Sequence, residues 1–161
     1  MILLEPCDLE DLDPARALEA VAADIRAHQA TPDAAGFFTA TRHTSLLAAL
    51  LVALHGDALH QLDQEPAADR HRAGPLTACA SQVATALAHY SRAGVPLAAL
   101  AASTATTLAQ QLDGVEQYST AVGEIHAARQ ALDHARTALT GPVPPTPRPA
   151  PAPTPAPRRT H

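Results

Sequence analysis

The chain lacks tryptophan and lysine altogether, and aromatic residues make up only 2% of its 161 residues. Its core must therefore be built from Leu, Val, Ile and Ala, and Ala alone, at about a quarter of the residues, favours helices that pack closely. All 11 basic residues are Arg, and the formal net charge of −5 gives no uniform positive field of the kind that binds phosphate backbones. The composition argues against nucleic acid as a partner.

Cysteine and long apolar runs are equally scarce. Cys7 and Cys79 are the two cysteines, and their spacing fits neither a disulfide framework nor a zinc motif. The longest apolar run, Leu46 to Leu54, is roughly half the length of a membrane span. The N-terminus is acidic and has no signal-peptide pattern. We therefore expect a cytoplasmic protein without a membrane segment.

Apolar residues recur at intervals of three and four along most of the chain, which predicts amphipathic helices. Asp13 followed by Pro14 is a strong helix start, and Pro66, Gly94 and Asp113-Gly114 are strong interruptions. The segment from Thr31 to Phe38 contains Pro, Asp and Gly and is predicted to be a loop. The predicted helices are about 14–30, 39–64, 75–94, 96–112 and 115–140.

No segment has the alternation of a β-strand, so the predicted class is all-α, a four- to five-helix up-down bundle. The bundle should occupy residues 1–140. Nine of the 15 prolines fall between Pro142 and Pro157, and proline removes backbone donors and restricts its neighbour. Residues 141–161 are therefore predicted to be a disordered, proline-rich tail.

Three of the nine histidines are candidates for a metal or small-ligand site between the first two helices. His28 lies one turn after Ile25 and His43 one turn before Leu47, so both fall near apolar faces that would pack together. His55 is a weaker third candidate. A structural interpretation is favoured for these side chains, namely rim histidines that bond backbone carbonyls at helix ends, and no cofactor is expected.

The last predicted helix carries two arginines within its apolar stripe. Arg129 and Arg136 flank Asp133 at spacings of four and three, which allows an intrahelical Arg-Asp-Arg cluster. Arginine in such a stripe usually covers apolar surface with its aliphatic stem while the guanidinium stays in water. The alternative is a seam that faces a partner and uses the charges to set its register.

The stretch around Gly94-Val95 has a weak likeness to a helix-turn-helix, which gives a small DNA-binding regulator as a second alternative. The would-be recognition helix from Leu97 to Leu112 has no Arg, which argues against this interpretation. The sequence also has no nucleophile elbow, phosphate loop or His-Glu-x-x-His motif. An enzyme is therefore the less favoured class.

The tail has the spacing that aromatic-lined grooves recognise in polyproline segments. Its candidate docking residues are Pro144, Pro145, Pro147 and Arg148. Together these observations favour a non-enzymatic helical module for self-association or protein binding, with a coiled-coil stripe and with the tail as spacer or docking strand.

Overall fold

The computed structural model describes residues 3–64 and 73–141. Within those ranges the chain is helical and has no strand, which confirms the predicted all-α bundle. A short 3-10 helix at Pro6–Leu9 precedes the four long helices. These are α1 (Pro14–Ala27), α2 (Ala34–Gln64), α3 (Ala73–Ala102) and α4 (Leu108–Thr140).

The helices form a ring in which each contacts two neighbours, and α2 and α4 lie across the bundle from each other. α3 has extensive contacts with both α2 and α4, whereas the shorter α1 bridges the other side of the ring. Leu, Val, Ile and Ala fill the interior, and Tyr90 is the largest side chain buried there. Small aliphatic side chains that pack closely therefore fill most of the core in place of aromatic residues.

Two predicted boundaries are wrong around Gly94. α3 does not end at Gly94 but continues through Pro96 to Ala102, because Tyr90, Ala93 and Leu97 are all buried on one continuous face. Burial of that face outweighs the backbone hydrogen bond that proline removes. The predicted helix 96–112 is therefore divided between the end of α3 and the start of α4.

α4 begins earlier than predicted, at Leu108, and runs through Asp113-Gly114. Thr107 starts it with a reciprocal capping box, in which its hydroxyl accepts from the Gln110 backbone and the Gln110 side chain accepts from Thr107. Gly114 lies within the helix, and a Cβ placed there would make an ordinary van der Waals contact of 3.5 Å with Leu100 Cδ2 of α3.

The predicted loop Thr31 to Phe38 is also too long. Asp33 Oδ1 accepts hydrogen bonds from the Gly36 backbone at 2.9 Å and from the Thr31 hydroxyl at 2.6 Å, which starts α2 at Ala34. The two phenylalanines consequently lie in the first turns of α2. Phe37 packs on the core, whereas Phe38 is exposed.

Small residues repeat every seven positions on the facing sides of α3 and α4. His89 and Arg92 of α3 both contact Glu124 of α4, and together with the Leu100–Gly114 approach they fix an antiparallel register. That register brings fully buried small side chains to the same levels. They are Cys79, Ala86 and Ala93 on α3 and Ala135, Ala128 and Ala121 on α4.

Burial raises the pKa of the Cys79 thiol to about 11, and the structure has no disulfide to Cys7.

We expect Ala128→Leu to lower the free energy of unfolding by about 2 kcal/mol, because three added carbons have no space between closely packed helices. Urea denaturation monitored by circular dichroism measures the change. Ala88→Leu, at an exposed alanine of α3, is the control and should stay within about 0.5 kcal/mol of the wild type. Equal effects of the two substitutions would contradict the close approach of α3 and α4.

Candidate functional site

Local sequence places a polar cluster where the end of α1 meets the third turn of α2. Asp13 caps α1 by accepting from the Ala15 and Arg16 backbones, each at 3.1 Å, and α1 ends with His28 as its C-cap. The tight turn at Asp33 then returns the chain as α2. As a result, Asp24 in the last turn of α1 faces Arg42 and His43 of α2.

Asp24 is the centre of this cluster and is only 8% exposed. Its Oδ2 lies 2.6 Å from Arg42 Nη2 and 3.2 Å from His43 Nε2, and its Oδ1 lies 3.1 Å from His28 Nδ1. Arg42 also donates from Nη1 to the Leu4 carbonyl at 3.0 Å. The ion pair of Asp24 and Arg42 therefore connects α1 with α2, and Arg42 also connects α2 with the N-terminal segment.

The electrostatic environment keeps Asp24 ionised. Burial alone would raise the pKa of this carboxyl, but the hydrogen bond and charge of Arg42, assisted by His28 and His43, hold it below its usual value of 3.8. The ion pair with Arg42 is mostly shielded from water, and removing either member would leave a buried charge without its partner.

His43 is 1% exposed and, like Asp24, has a lowered pKa, but loss of the proton leaves this ring uncharged. Burial, and then the charge of Arg42, lower the pKa of His43 from 6.5 to about 4 despite the nearby Asp24. Its ring is neutral at pH 7, and because a carboxylate only accepts, Nε2 carries the proton that is donated to Asp24. Nδ1 is buried without a hydrogen-bond partner among the described residues, and the ring meets Tyr90 edge to face with centroids 5.3 Å apart.

The structure brings together two of the three histidines that the sequence singles out. His28 and His43 both contact Asp24, and the His28 ring also lies 3.0 Å from the Asp24 carbonyl at the end of α1. His55 lies three turns beyond His43 along α2, is exposed, and has its Nδ1 2.9 Å from the Leu51 carbonyl. It is not part of the cluster.

Sequence reasoning missed Asp24 and Arg42. The available signal for Asp24 was a carboxylate one turn before His28 and next to Ile25, at the edge of the apolar stripe of α1. Arg42 had no comparable signal, because its partner is distant in sequence and close only in the folded chain.

The arginines of α4 contact α1 of the same chain. Arg129 Nη2 donates to the Ile25 carbonyl at 3.1 Å, and Arg136 forms a two-pronged ion pair with Glu19, with Nη2–Oε2 at 2.6 Å. Asp133 Oδ1 is 3.6 Å from Arg136 Nη1. The three residues that were predicted as an interaction cluster therefore lie at the α1–α4 contact.

Two other predicted features do not belong to the cluster. The helix-turn-helix alternative required a turn at Gly94-Val95, and α3 is continuous there. The tail residues Pro144, Pro145, Pro147 and Arg148 lie outside the described residues, so their docking role stays a prediction.

The side of α2 that points away from the bundle carries large exposed apolar side chains among small and polar ones such as Thr41, Ser45 and His55. We call it the outer face of α2 and define it by Phe38, Val52, Leu59 and Leu62. The first three are 70%, 73% and 67% exposed. Between Phe38 and Leu62, Arg42 turns to Asp24 and Asp57 is half-buried, whereas the exposed Asp63 lies at the end of the face, one turn after Leu59.

This composition also gives α2 the character of a membrane helix by length and hydropathy. Among the described residues, the stretch Ala34–Asp63 meets that criterion, with a mean hydropathy of 1.4 over an 18-residue window. The core helix of a soluble protein meets it too, and 33% of the window is buried inside the bundle.

Comparison of the chain with protein-family models, curated proteins and solved structures gives no significant match.

Proposed function

We propose that the protein is a non-enzymatic helical module that self-associates through the outer face of α2. The observation that carries this proposal is the row of exposed apolar side chains on a helix whose opposite face is already buried in the core. Water contact with these side chains is unfavourable, so covering them is the main driving force for association.

The spacing of the outer face suits another helix as the occupant. Phe38, Val52 and Leu59 are separated by fourteen and seven residues, with Ser45 at the intervening position, so they recur on one side of the helix in heptad register. The row from Phe38 to Leu62 is about 36 Å long at 1.5 Å per residue. Two such rows from two copies would form a coiled-coil seam.

A second copy of this chain is the simplest partner for an uncharged surface. In a twofold contact the same patch meets itself, so any like charges would be brought together. The outer face contains none between Phe38 and Leu62, and its nearest charge is Asp63 at the end of the row. Lipid is the competing occupant, but the exposed residues of the adjoining α1 include Arg16, Glu19 and Arg26, which a hydrocarbon environment would not accommodate.

The test compares two valines that have similar exposure on opposite sides of the ring. Val52 on α2 is 73% exposed and Val115 on α4 is 67% exposed. Sedimentation velocity of the full chain should give a dimer in detergent-free buffer. Val52→Asp should weaken the dimer at least about tenfold, because it places two carboxylates in one apolar seam, whereas Val115→Asp should leave it unchanged.

Several results would contradict the proposal. They are a chain that stays monomeric at high micromolar concentration, a Val52→Asp dimer as strong as the wild type, and dissociation caused by Val115→Asp instead. Flotation of the full chain with neutral phosphatidylcholine vesicles would assign the outer face to lipid. Circular dichroism of both variants separates loss of association from loss of folding.

A further inference from the structure

Three potential metal ligands meet at the contact between α1 and α2. A carboxylate oxygen of Asp24 and one ring nitrogen each of His28 and His43 all lie within 4.8 Å of one another. We propose that these three side chains form a binding site for a divalent transition metal of the zinc class. The site lies on the inner side of α2, so it does not depend on association through the outer face.

The donor set selects the class of metal. Two imidazole nitrogens and one carboxylate oxygen match Zn²⁺, Co²⁺ and Ni²⁺, whereas Mg²⁺ and Ca²⁺ prefer oxygen ligands. Asp24 and His28 are four residues apart on one helix, so their side chains lie one above the other, and His43 supplies the third ligand from the facing helix. Three protein ligands leave a fourth tetrahedral position for water.

The protonation of the cluster already suits metal binding. Ligands must be neutral imidazole and ionised carboxylate, and the contacts of Asp24 with Arg42 and with both histidines are those of an ionised carboxylate. Metal binding requires the protons on His43 Nε2 and His28 Nδ1, which face oxygens of Asp24, to move to the other nitrogen of each ring. His43 Nδ1 is buried without a hydrogen-bond partner among the described residues and is unpaired in both tautomers, so metal binding exchanges the Nε2 hydrogen bond for a metal bond.

Arg42 competes with the metal for this site. Its Nη2 is 2.6 Å from Asp24 Oδ2 and 3.4 Å from His43 Nε2, so a metal ion must displace the guanidinium. An open groove of about 530 Å³, lined in part by Leu4, Asp8, Asp24 and His28, adjoins the cluster and provides both a path for the ion and space for the displaced side chain. Arg42 is therefore not a ligand of the proposed site, and its competition lowers the affinity of the site for the metal.

The experiment uses the full chain without a polyhistidine tag, freed of metal with a chelator that is then removed. Titration with Zn²⁺ by calorimetry should show one equivalent bound at micromolar affinity, and Co²⁺ should give the intense visible absorption of a four-coordinate ion. His28→Gln should weaken binding at least about tenfold, since it removes a ligand with little loss of core packing. Arg42→Gln should strengthen binding about tenfold, because it removes the competing cation.

The control is His55→Gln, which changes an exposed histidine of the same helix and should bind both ions as the wild type does. Absence of binding at micromolar Zn²⁺ would overturn the proposal, and so would retention of wild-type affinity in His28→Gln or weaker binding in Arg42→Gln. If the Asp24–Arg42 pair were purely structural, Arg42→Gln would not increase the affinity for Zn²⁺, so this increase tests the site itself.

Discussion

Replacement of Arg42 by Met is expected to lower the free energy of unfolding of the metal-free protein by about 3 kcal/mol. Methionine fills much of the same volume but leaves the Asp24 carboxylate, whose side chain is 6% exposed, without its charged partner. The substitution also removes the hydrogen bond that ties Leu4 to α2. Urea denaturation at pH 7 with a chelator present measures the loss.

Two further variants identify the cause of that loss. Asp24→Asn combined with Arg42→Met removes both charges and should recover at least half of the stability, because the amide oxygen still accepts the proton of His43 Nε2. Arg16→Met breaks the exposed pair with Asp13 and should change stability by less than about 0.5 kcal/mol. If Arg42→Met behaved like Arg16→Met, the buried ion pair would contribute little.

Acid is expected to destabilise the metal-free protein between pH 6.5 and about 4, by on the order of 3 kcal/mol in total. The buried His43 has a pKa of about 4 in the folded chain and the ordinary 6.5 when unfolded. The unfolded chain therefore binds a proton in this window and the native chain does not, so stability falls as the pH falls. Asp24 adds a further loss below its usual pKa of 3.8, because its folded pKa is lower still.

The measurement is urea denaturation in chelator at several pH values across that window. His43→Gln is expected to be less stable at pH 7 but to lose much less stability on acidification, since the buried titrating group is gone. His55→Gln changes an exposed histidine of α2 and should retain the wild-type pH dependence. An unchanged pH dependence in His43→Gln would show that burial of this ring does not control acid stability.

The helices were predictable wherever one apolar stripe agreed with a strong capping signal. Asp13 and Pro14 start α1 at the predicted residue, and the stripe of the last helix extends to Thr140 as expected. The predictions were wrong between Gly94 and Asp113-Gly114, where the local signals pointed to helix ends. Burial of Leu97 on the continuous face of α3 outweighs the signals at Gly94 and Pro96, and this burial cannot be inferred from spacing.

The candidate site was predictable only in part for the same reason. His28 and His43 stood out because each falls near the apolar face of its helix, but no spacing pattern related Asp24 to Arg42, which are eighteen residues apart. Likewise, the guanidinium groups of Arg129 and Arg136 were predicted to lie in water or to face a partner, whereas α1 supplies the Ile25 carbonyl and the Glu19 carboxylate.

The amino-acid sequence by itself determined the all-α class, because apolar side chains at helical intervals can be buried only if the segments fold as helices and pack together. It also determined that the core would be aliphatic and closely packed. Tertiary structure alone decided which polar groups share an interior site and which apolar face of α2 is left uncovered. Both depend on the rotation of each helix about its axis, and that rotation is fixed by all neighbours at once rather than by any one segment.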